Sequence, residues 1–589
     1  MGELRTLLPY FRPYRRGFAL GLVCVLFANV FQVAGPWLMK LAIDGIADPE
    51  VTRGYIGLLA GAIVLVALLG GAFRFGMRQL LNGISRRMEA DLRNDFFGHL
   101  LRLDPAFYGR VRTGDLMSHA TNDTLAVRMA VGPAVMYTVN TAVTFVLTLG
   151  LMLWMSPKLT LYAILPLLAL PPIMIRFGRI IHERFERIQE QFSSLSTFVQ
   201  ENLTGVRIVR AYGQEGEQAR RFEAFNEDYR RRNMALVIST GAFRPLLMFV
   251  AGLSMIVVTW LGGLEVIAGR ITVGDFVAFT FYLTLLVWPM IALGWVVNLY
   301  QRGAASMGRI NRILRTEPSI AAPAYPRPLA APRGEIRFEG VSFAYPGTDR
   351  AVLHDIDFTA PAGATVAVVG PTGAGKSTLV MLLPRLYDPT SGRILLDGVP
   401  LPELDPAELR GVIGMVPQDA FLFSDSIAAN IGLGRAGPAE REAVEAAARI
   451  AQLDEQVQDF PRGYDTLLGE RGINLSGGQK QRAALARALA RDPTLLVLDD
   501  ALSAVDTHTE AKILTHLRGV TSSRTTFIIS HRVSAVMHAD LILVLEEGRI
   551  VQRGKHADLI AEEGTYARLL RRQLLEEDLE SGVAGTVGG

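Results

Sequence analysis

Six long apolar segments fill the first half of the chain, at roughly 17–43, 54–80, 132–155, 159–178, 245–264 and 276–300. Each reaches or approaches the ~20 residues a helix needs to cross ~30 Å of hydrocarbon, so the pattern predicts six membrane spans. Residues 159–178 form the weakest, because Pro166, Pro171 and Pro172 lie inside it. Proline kinks a helix and frees carbonyls that must then find other partners. The connectors alternate in length and charge. Those at 44–53, 156–158 and 265–275 carry only Arg53, Lys158 and Arg270. The two long ones are basic: Arg86, Arg87, Arg93, Arg102, Arg110 and Arg112 lie in one, and Arg179, Arg184, Arg187, Arg207, Arg210, Arg220 and Arg221 in the other. Basic loops stay in the cytoplasm, which puts both termini there. The long connectors also read as helical, so the helices are expected to continue well below the membrane. The opening "MGELRTLLPYFRPYRR" is amphipathic and basic. It reads as an interfacial helix over 1–16, since the apolar run after it is too long for a cleaved signal.

Polar groups inside the spans are few: Asn29, Gln32 and Asn140. They read as hydrogen-bonding groups between helices, with substrate contact as the alternative. Arg74, Arg78 and Lys40 lie near span ends and are expected to snorkel. Trp260, Trp288 and Trp295 either line a cavity or serve packing and interface anchoring. Half of the 589 residues are hydrophobic and the mean hydropathy is +0.27, values suited to a membrane protein. With 60 Lys+Arg against 57 Asp+Glu, total charge does not point to an acidic partner, and no nucleic acid is expected to bind. Cys24 is the one cysteine, so the fold needs no internal disulfide.

The texture changes near 317. The stretch "EPSIAAPAYPRPLAAPRG", 317–334, is rich in Pro and Ala and reads as a linker. Short β-branched runs then alternate with helical patterns, as in an α/β domain with a largely parallel sheet. The boundaries expected are a membrane domain over 17–316, a nucleotide-binding domain over 335–566, and a C-terminal helix and tail over 567–589. The fold class is therefore a membrane all-α domain of six transmembrane helices with long cytoplasmic extensions, fused to an α/β P-loop domain.

"GPTGAGKST", 370–378, follows the strand-like "ATVAVVG" and precedes a helical pattern, which is the setting of a P-loop. Gly370, Pro371, Thr372, Gly373, Ala374 and Gly375 let backbone N–H groups curl around phosphate. Lys376 supplies a cation for the β- and γ-phosphates, Ser377 a hydroxyl for Mg²⁺, and Thr378 follows on the helix. Asp499 ends the apolar run of "LLVLDD" as a second holder of Mg²⁺. ATP and Mg²⁺ are the expected ligands. Asp500 follows, where a hydrolysing strand of this kind is expected to carry glutamate.

"LSGGQKQRAALARAL", 475–489, together with the P-loop and "LLVLDD", resembles the ATP-binding cassette family. The resemblance covers nearly the whole chain. "FYGRVRTGDLMSHATND" and "LTGVRIVRAYGQE" look like the cytoplasmic coupling segments of its exporters, near 104–124 and 203–226. Within the family the chain is similar to the TmrB-type half of a heterodimeric multidrug and peptide exporter, related in design to antigen-peptide transporters. The resemblance implies that Tyr345 stacks on adenine, that Gln418 reaches toward Mg²⁺ and the attacking water, and that His531 is the switch at the γ-phosphate. Asp506 would cross the dimer interface. Leu475, Ser476, Gly477, Gly478 and Gln479 would close over the nucleotide of a second chain. Leu467 in "TLLGERG" stands where an acidic residue is common, which puts the contact with the partner's coupling segment in doubt.

Asp500 is one methylene shorter than Glu, so its carboxylate falls back by roughly a C–C bond, a misplacement that can cost about 100-fold in rate. The expected arrangement is a heterodimer in a cell's inner or plasma membrane. This chain's own site binds ATP and turns over slowly, and its signature completes the hydrolytic site of a partner carrying a catalytic glutamate. The alternatives are a homodimeric exporter or lipid flippase with slow Asp500 sites, and an ATP-gated channel or regulator. The expected cargo is amphipathic or hydrophobic: drugs, lipids or peptides. Which arginines face a cavity is not legible in the sequence.

Overall fold

A computed structural model describes residues 2–575 except 48–49, 349, 436, 438–439, 470–471, 473, 522–523, 531 and 574. Two compact units emerge, one of Met1–Leu101 and Thr113–Thr316, the other of Arg102–Arg112 and Glu317–Gly589.

The first unit holds six helices long and apolar enough to cross a membrane: α1 (Gly2–Ile46), α2 (Arg53–Leu100), α3 (Thr113–Met155), α4 (Pro157–Thr204), α5 (Glu215–Ile267) and α6 (Val273–Leu314). They run from 42 to 53 residues, or roughly 60–80 Å at 1.5 Å per residue, about twice the hydrocarbon thickness. Each therefore continues past the membrane, as the basic connectors predict. The opening segment forms short helical turns, Gly2–Leu7, Leu8–Phe11 and Arg12–Tyr14, before the main body of α1.

The three prolines break α4 into Pro157–Leu167 and Leu170–Thr204. Leu168 and Ala169 form a tight turn, donating to Ile164 O at 3.1 Å and Pro166 O at 3.1 Å. Pro171 and Pro172 then stand in the first turn of the second limb, where a missing N–H costs least. The span amides bond between helices. Asn29 Nδ2 donates to Asn140 Oδ1 at 3.0 Å, and the Thr144 hydroxyl donates to Asn29 Oδ1. Arg74 donates to Gln32 Oε1 at 3.0 Å, joining α2 to α1. Cys24 is buried against Met77, Leu81 and Met136, as a small packing group.

The second unit is built on two sheets. One is antiparallel, in the order β2 (Ala351–Ala360), β1 (Ile336–Ala344), β4 (Ser391–Leu396), β5 (Val399–Pro400). The other runs β10 (Arg549–Gly554), β9 (Leu541–Glu546), β3 (Thr365–Val369), β8 (Thr525–Ile529), β7 (Leu495–Asp499), β6 (Ile413–Val416). Its strands are parallel except for the edge strand β10. Strand β7 is buried at every position, as a strand covered on both faces must be. Phe338 and Phe358 from the first sheet pack with Val366, Val497 and Phe527 from the second. Helices including Arg441–Ile450 and Gly477–Ala490 cover the other face. A helix over 565–573 follows, with Tyr566 fully buried and its hydroxyl 2.6 Å from His556 Nδ1.

Residues 102–112, read from the sequence as part of the membrane half, belong to the second unit. The cause is local. Asp104 caps the short helix Pro105–Tyr108 by accepting from Phe107 N at 3.3 Å. The same carboxylate accepts from Ser319 N at 2.7 Å and from the Ser319 hydroxyl. One side chain thus ties the coupling stretch to the linker. Burial pushes the Asp104 carboxyl up, and the Ser319 and Phe107 hydrogen bonds outweigh it, leaving the group below its ordinary 3.8. A depressed carboxylate contributes stability above its unfolded value and loses it as pH falls through the folded value. Asp104→Ala is expected to speed amide hydrogen exchange across 102–112 at neutral pH, and acidification below about pH 4 should do the same to the unsubstituted chain. Unchanged exchange in both would remove Asp104 as the tie.

Candidate functional site

Topology alone gathers most of the site. In the parallel sheet, Val368 of β3 and Asp499 of β7 both pair with Ile529 of β8, so the ends of the three strands are level. Val416 of β6 pairs with Leu498 of β7, and Gln418 and Asp500 each follow two residues later, past the strand ends. Loop 370–375, Asp499, Asp500 and Gln418 therefore share the carboxyl-end edge, where parallel sheets bind ligands. The structure places Gln418 exposed on that edge. His531 lies outside the described residues, as do Glu470 and Arg471 of "TLLGERG".

The loop after β3 needs its glycines. Gly373 and Gly375 have φ of +83° and +97°, a region in which side chains are strained. A Cβ on Gly375 would stand 2.9 Å from Leu353 and 3.1 Å from the Val352 carbonyl. Gly375 leads directly into the helix Lys376–Met381. Lys376 is nearly buried and donates to the carbonyls of Gly370 and Pro371, both at 2.9 Å. The ammonium thus bridges the mouth of the loop, where phosphate oxygens would replace those carbonyls. Burial lowers its pKa, offset in part by the Asp500 and Asp499 carboxylates.

Ser377 Oγ donates to Asp499 Oδ1 at 3.0 Å. A hydroxyl and a buried carboxylate so close are hard oxygen donors suited to Mg²⁺. Donor set and cradle together fit ATP with Mg²⁺. Tyr345 reaches the end of the loop: its hydroxyl is 2.9 Å from Thr378 Oγ1. Its ring packs edge-on to Phe343 and Tyr387.

Asp500 sits in the left-handed region, φ +48°, which aspartate tolerates better than most residues. Its backbone is held at both ends. The Asp500 N–H donates to Ile529 O at 2.9 Å, and its carbonyl accepts from Ser503 N at 3.3 Å and Ser503 Oγ at 3.1 Å.

The segment 475–479 is built differently. Ser476 caps the helix Gly477–Ala490 in a reciprocal box: Gln479 N donates to Ser476 Oγ at 3.3 Å, and Ser476 N donates to Gln479 Oε1 at 2.9 Å. Leu475 is buried, whereas Ser476 and Gly477 are exposed. The helix therefore presents its positive end outward. Gly478 packs against backbone; a Cβ there would lie 2.8 Å from the Ala504 carbonyl.

Two features escaped the sequence reading. Gln481, buried on a helix face shared with Gly478, Ala484, Leu485 and Ala488, donates to Ser503 Oγ at 2.8 Å and accepts from Ala504 N at 2.9 Å. A polar residue on a mostly small-residue face was the available signal. Arg532 pairs with buried Glu510 and donates to the Val505 and Ser503 carbonyls at 3.3 Å and 3.4 Å. These contacts join the signature helix, the turn after β7 and the turn after β8 into one frame. Asp506 is exposed and caps the helix Thr507–Thr521, accepting from Thr509 N at 2.9 Å. That N–H, with help from Arg482, keeps its carboxyl below the ordinary value. Leu467 is also exposed, bridged to Ser426, in the same unit as the edge-packed and exposed Phe421 and Phe423.

Comparison with known proteins agrees with this architecture. Residues 18–290 match the ABC transporter transmembrane region and residues 353–503 the ABC transporter family. The chain is 40% identical over 580 residues to the probable multidrug resistance ABC transporter ATP-binding/permease protein YheI of Bacillus subtilis (strain 168), covering 97% of this chain and 98% of that protein. It is 37% identical over 572 residues to the multidrug resistance-like ATP-binding protein MdlA of Escherichia coli (strain K12), covering 97% and 96%. It is also 37% identical over 589 residues to the ATP-dependent lipid A-core flippase of Aromatoleum aromaticum, again covering 97% and 96%. A bacterial Atm1-family ABC exporter with ATP bound has the same fold, with a TM-score of 0.77, 31% identity, and 95% of this chain and 98% of that one covered.

Proposed function

The chain belongs to the ABC transporter family as an exporter half-transporter, a transmembrane region fused to a nucleotide-binding domain, and from that premise we propose that it is the slow half of an asymmetric pair. It is a multi-pass inner-membrane protein with a cytoplasmic ATP- and Mg²⁺-binding domain, and it works as an ATP-driven translocase. In the proposed arrangement its own site clamps ATP and cleaves it slowly. Its Leu475–Gln479 segment covers the nucleotide of a partner that carries the catalytic glutamate.

The observation that supports this reading is the fixed backbone of Asp500. The Ile529 and Ser503 hydrogen bonds hold the main chain against an advance that would recover the missing methylene. Lys376 and the loop N–H groups bind and orient the phosphates. Ser377 and Asp499 would hold Mg²⁺, which when bound would supply charge neutralisation for the phosphates. Gln418 and Asp500 orient the water, and Asp500 does so from too far back. Tyr345 supplies an aromatic face for the base.

The outward-facing Ser476–Gly477 end supports a site completed between two chains. The segment 203–226 supports the same: Leu203, Val206, Ile208 and Tyr212 are exposed and suit an apolar patch on a partner, and this chain's own exposed Phe421, Phe423 and Leu467 offer such a patch in return. ATP draws the nucleotide-binding domains together and tilts the helices from inward- to outward-facing, because it binds the two states unequally. The cargo is amphipathic or apolar: a drug, lipid or peptide. A second reading, a homodimer acting on drugs or lipids, is favoured by one observation. The chain carries both a complete loop 370–378 and a complete 475–479 segment, so two copies supply both halves.

Purifying the chain alone and with the half-transporter that co-purifies with it separates the two. The asymmetric reading expects little ATP hydrolysis alone, fast hydrolysis in the pair, and insensitivity of the pair to Asp500→Asn. Fast hydrolysis by the lone chain, abolished by Asp500→Asn, would establish the homodimer instead.

A further inference from the structure

Among the described residues Arg244 is the one cation lining an apolar groove between α5 and α6 of the membrane unit. The groove has a volume of about 620 Å³, and its lining includes Arg244, Met248, Met255, Leu283 and Trp288. Leu283 is buried at its floor, while Met248 and Trp288 are 58% and 56% exposed. Among the described residues Arg244 has no hydrogen-bond or ion-pair partner.

Depth gives this arrangement a meaning. The chain passes from α6 into the cytoplasmic domain, so Val273 and Ile267 are the outer ends of α6 and α5. Arg244 lies roughly 35 Å along α5 from Ile267 at 1.5 Å per residue, which is the inner edge of ~30 Å of hydrocarbon. Trp288 and Met255 lie roughly 20 Å from the outer ends, in the inner half of the layer. The groove thus runs from headgroup depth into the inner leaflet, with a cation at its wet end and thioether and aromatic surface along its length. At this level the exposed guanidinium keeps its charge among the headgroups and stands at the mouth of the groove. Its complement is a molecule with one acidic group on an apolar body. A cationic amphiphile meets like charge, and a neutral one leaves the guanidinium unpaired.

We propose that this groove binds anionic amphiphiles drawn from the inner leaflet, with Arg244 holding the acidic group and Met248, Met255 and Trp288 the apolar chain. The inference names a substrate class for the exporter reading and rests on that reading only for the transport that follows binding.

The test uses the purified dimer in phosphatidylcholine nanodiscs without ATP. The probes are a fatty acid dansylated at its tail, its methyl ester and its trimethylammonium analogue, followed by energy transfer from tryptophan. The acid should bind at least about tenfold tighter than the ester, the size of one charge-assisted hydrogen bond, and the cation more weakly still. Arg244→Gln should erase the preference, Arg244→Lys keep it, and Arg244→Glu turn it toward the cation. Trp288→Phe should lower the transfer without changing the acid-over-ester preference. Equal binding of acid and ester overturns the proposal, as does a preference that survives Arg244→Gln. Dissociation of the dimer by Arg244→Gln also overturns it, by making the groove a subunit contact. Failure of the unsubstituted dimer to hydrolyse ATP would overturn the exporter reading and leave the binding result standing.

Discussion

Glutamate in place of Asp500 is expected to raise hydrolysis at this chain's own nucleotide site by about 100-fold, the size of effect that an ångström-scale misplacement of a catalytic group can produce. The substitution restores one methylene to a carboxylate whose backbone is tied back by hydrogen bonds. Ile529 and Ser503 hold that backbone from both sides. The gain has a cost. The φ of +48° suits aspartate, and glutamate there should lose up to about 1 kcal/mol of stability. The measurement is ATP turnover in a pair whose partner site has been silenced at its own catalytic glutamate, with thermal unfolding in parallel. No gain in turnover would mean that the missing methylene is not what slows this site.

Gly478→Ala is expected to act in the opposite place. It should depress hydrolysis at the partner's site by about 100- to 1,000-fold, the loss typical when a preorganised donor to developing charge is displaced. The new methyl would stand 2.8 Å from the Ala504 carbonyl. The helix Gly477–Ala490 must then back away from the turn to which Gln481 bonds it. Ser476→Ala should act similarly, and its lost cap should cost about 1 kcal/mol of fold stability. Nucleotide binding at this chain's own loop should persist in both variants, because Lys376, Ser377 and Asp499 are untouched. Photolabelling with an azido-ATP and single-turnover hydrolysis report the two sites separately. Loss of labelling at the own site, with partner hydrolysis intact, would place residues 475–479 over the wrong nucleotide.

What the sequence makes legible follows the range of the forces involved. Six spans are readable because the cost of exposing polar backbone to hydrocarbon acts on every residue of a segment. The phosphate loop is readable because its glycines, lysine and serine are consecutive. Loop 370–378 with Asp499 and Asp500 shares one sheet edge because the chain is α/β, which the alternation of β-branched and helical runs announced. The tie from Asp104 to Ser319 was not readable, since capping residues are common and nothing local selects a partner over 200 positions away. The Gln481 clasp was hidden because a glutamine in a helix is usually solvated. The arginines of the connectors looked equivalent in the sequence. Arg244, just before the fifth apolar segment, was not singled out there; the packing of α5 beside α6 places it on the groove.

The interruption of α4 at Leu168 and Ala169 leaves one further mark. Residues 171 and 172 are prolines, so the carbonyls of Leu167 and Leu168 meet no ladder N–H four places on. Two successive rungs are missing in mid-bilayer, so the helix bends there more easily than where its ladder is complete. A rod that loses its stiffness at one point turns about that point. The limb Leu170–Thr204 is then a pendulum hung from the stub Pro157–Leu167, and a push on its cytoplasmic tip swings it without carrying the stub along.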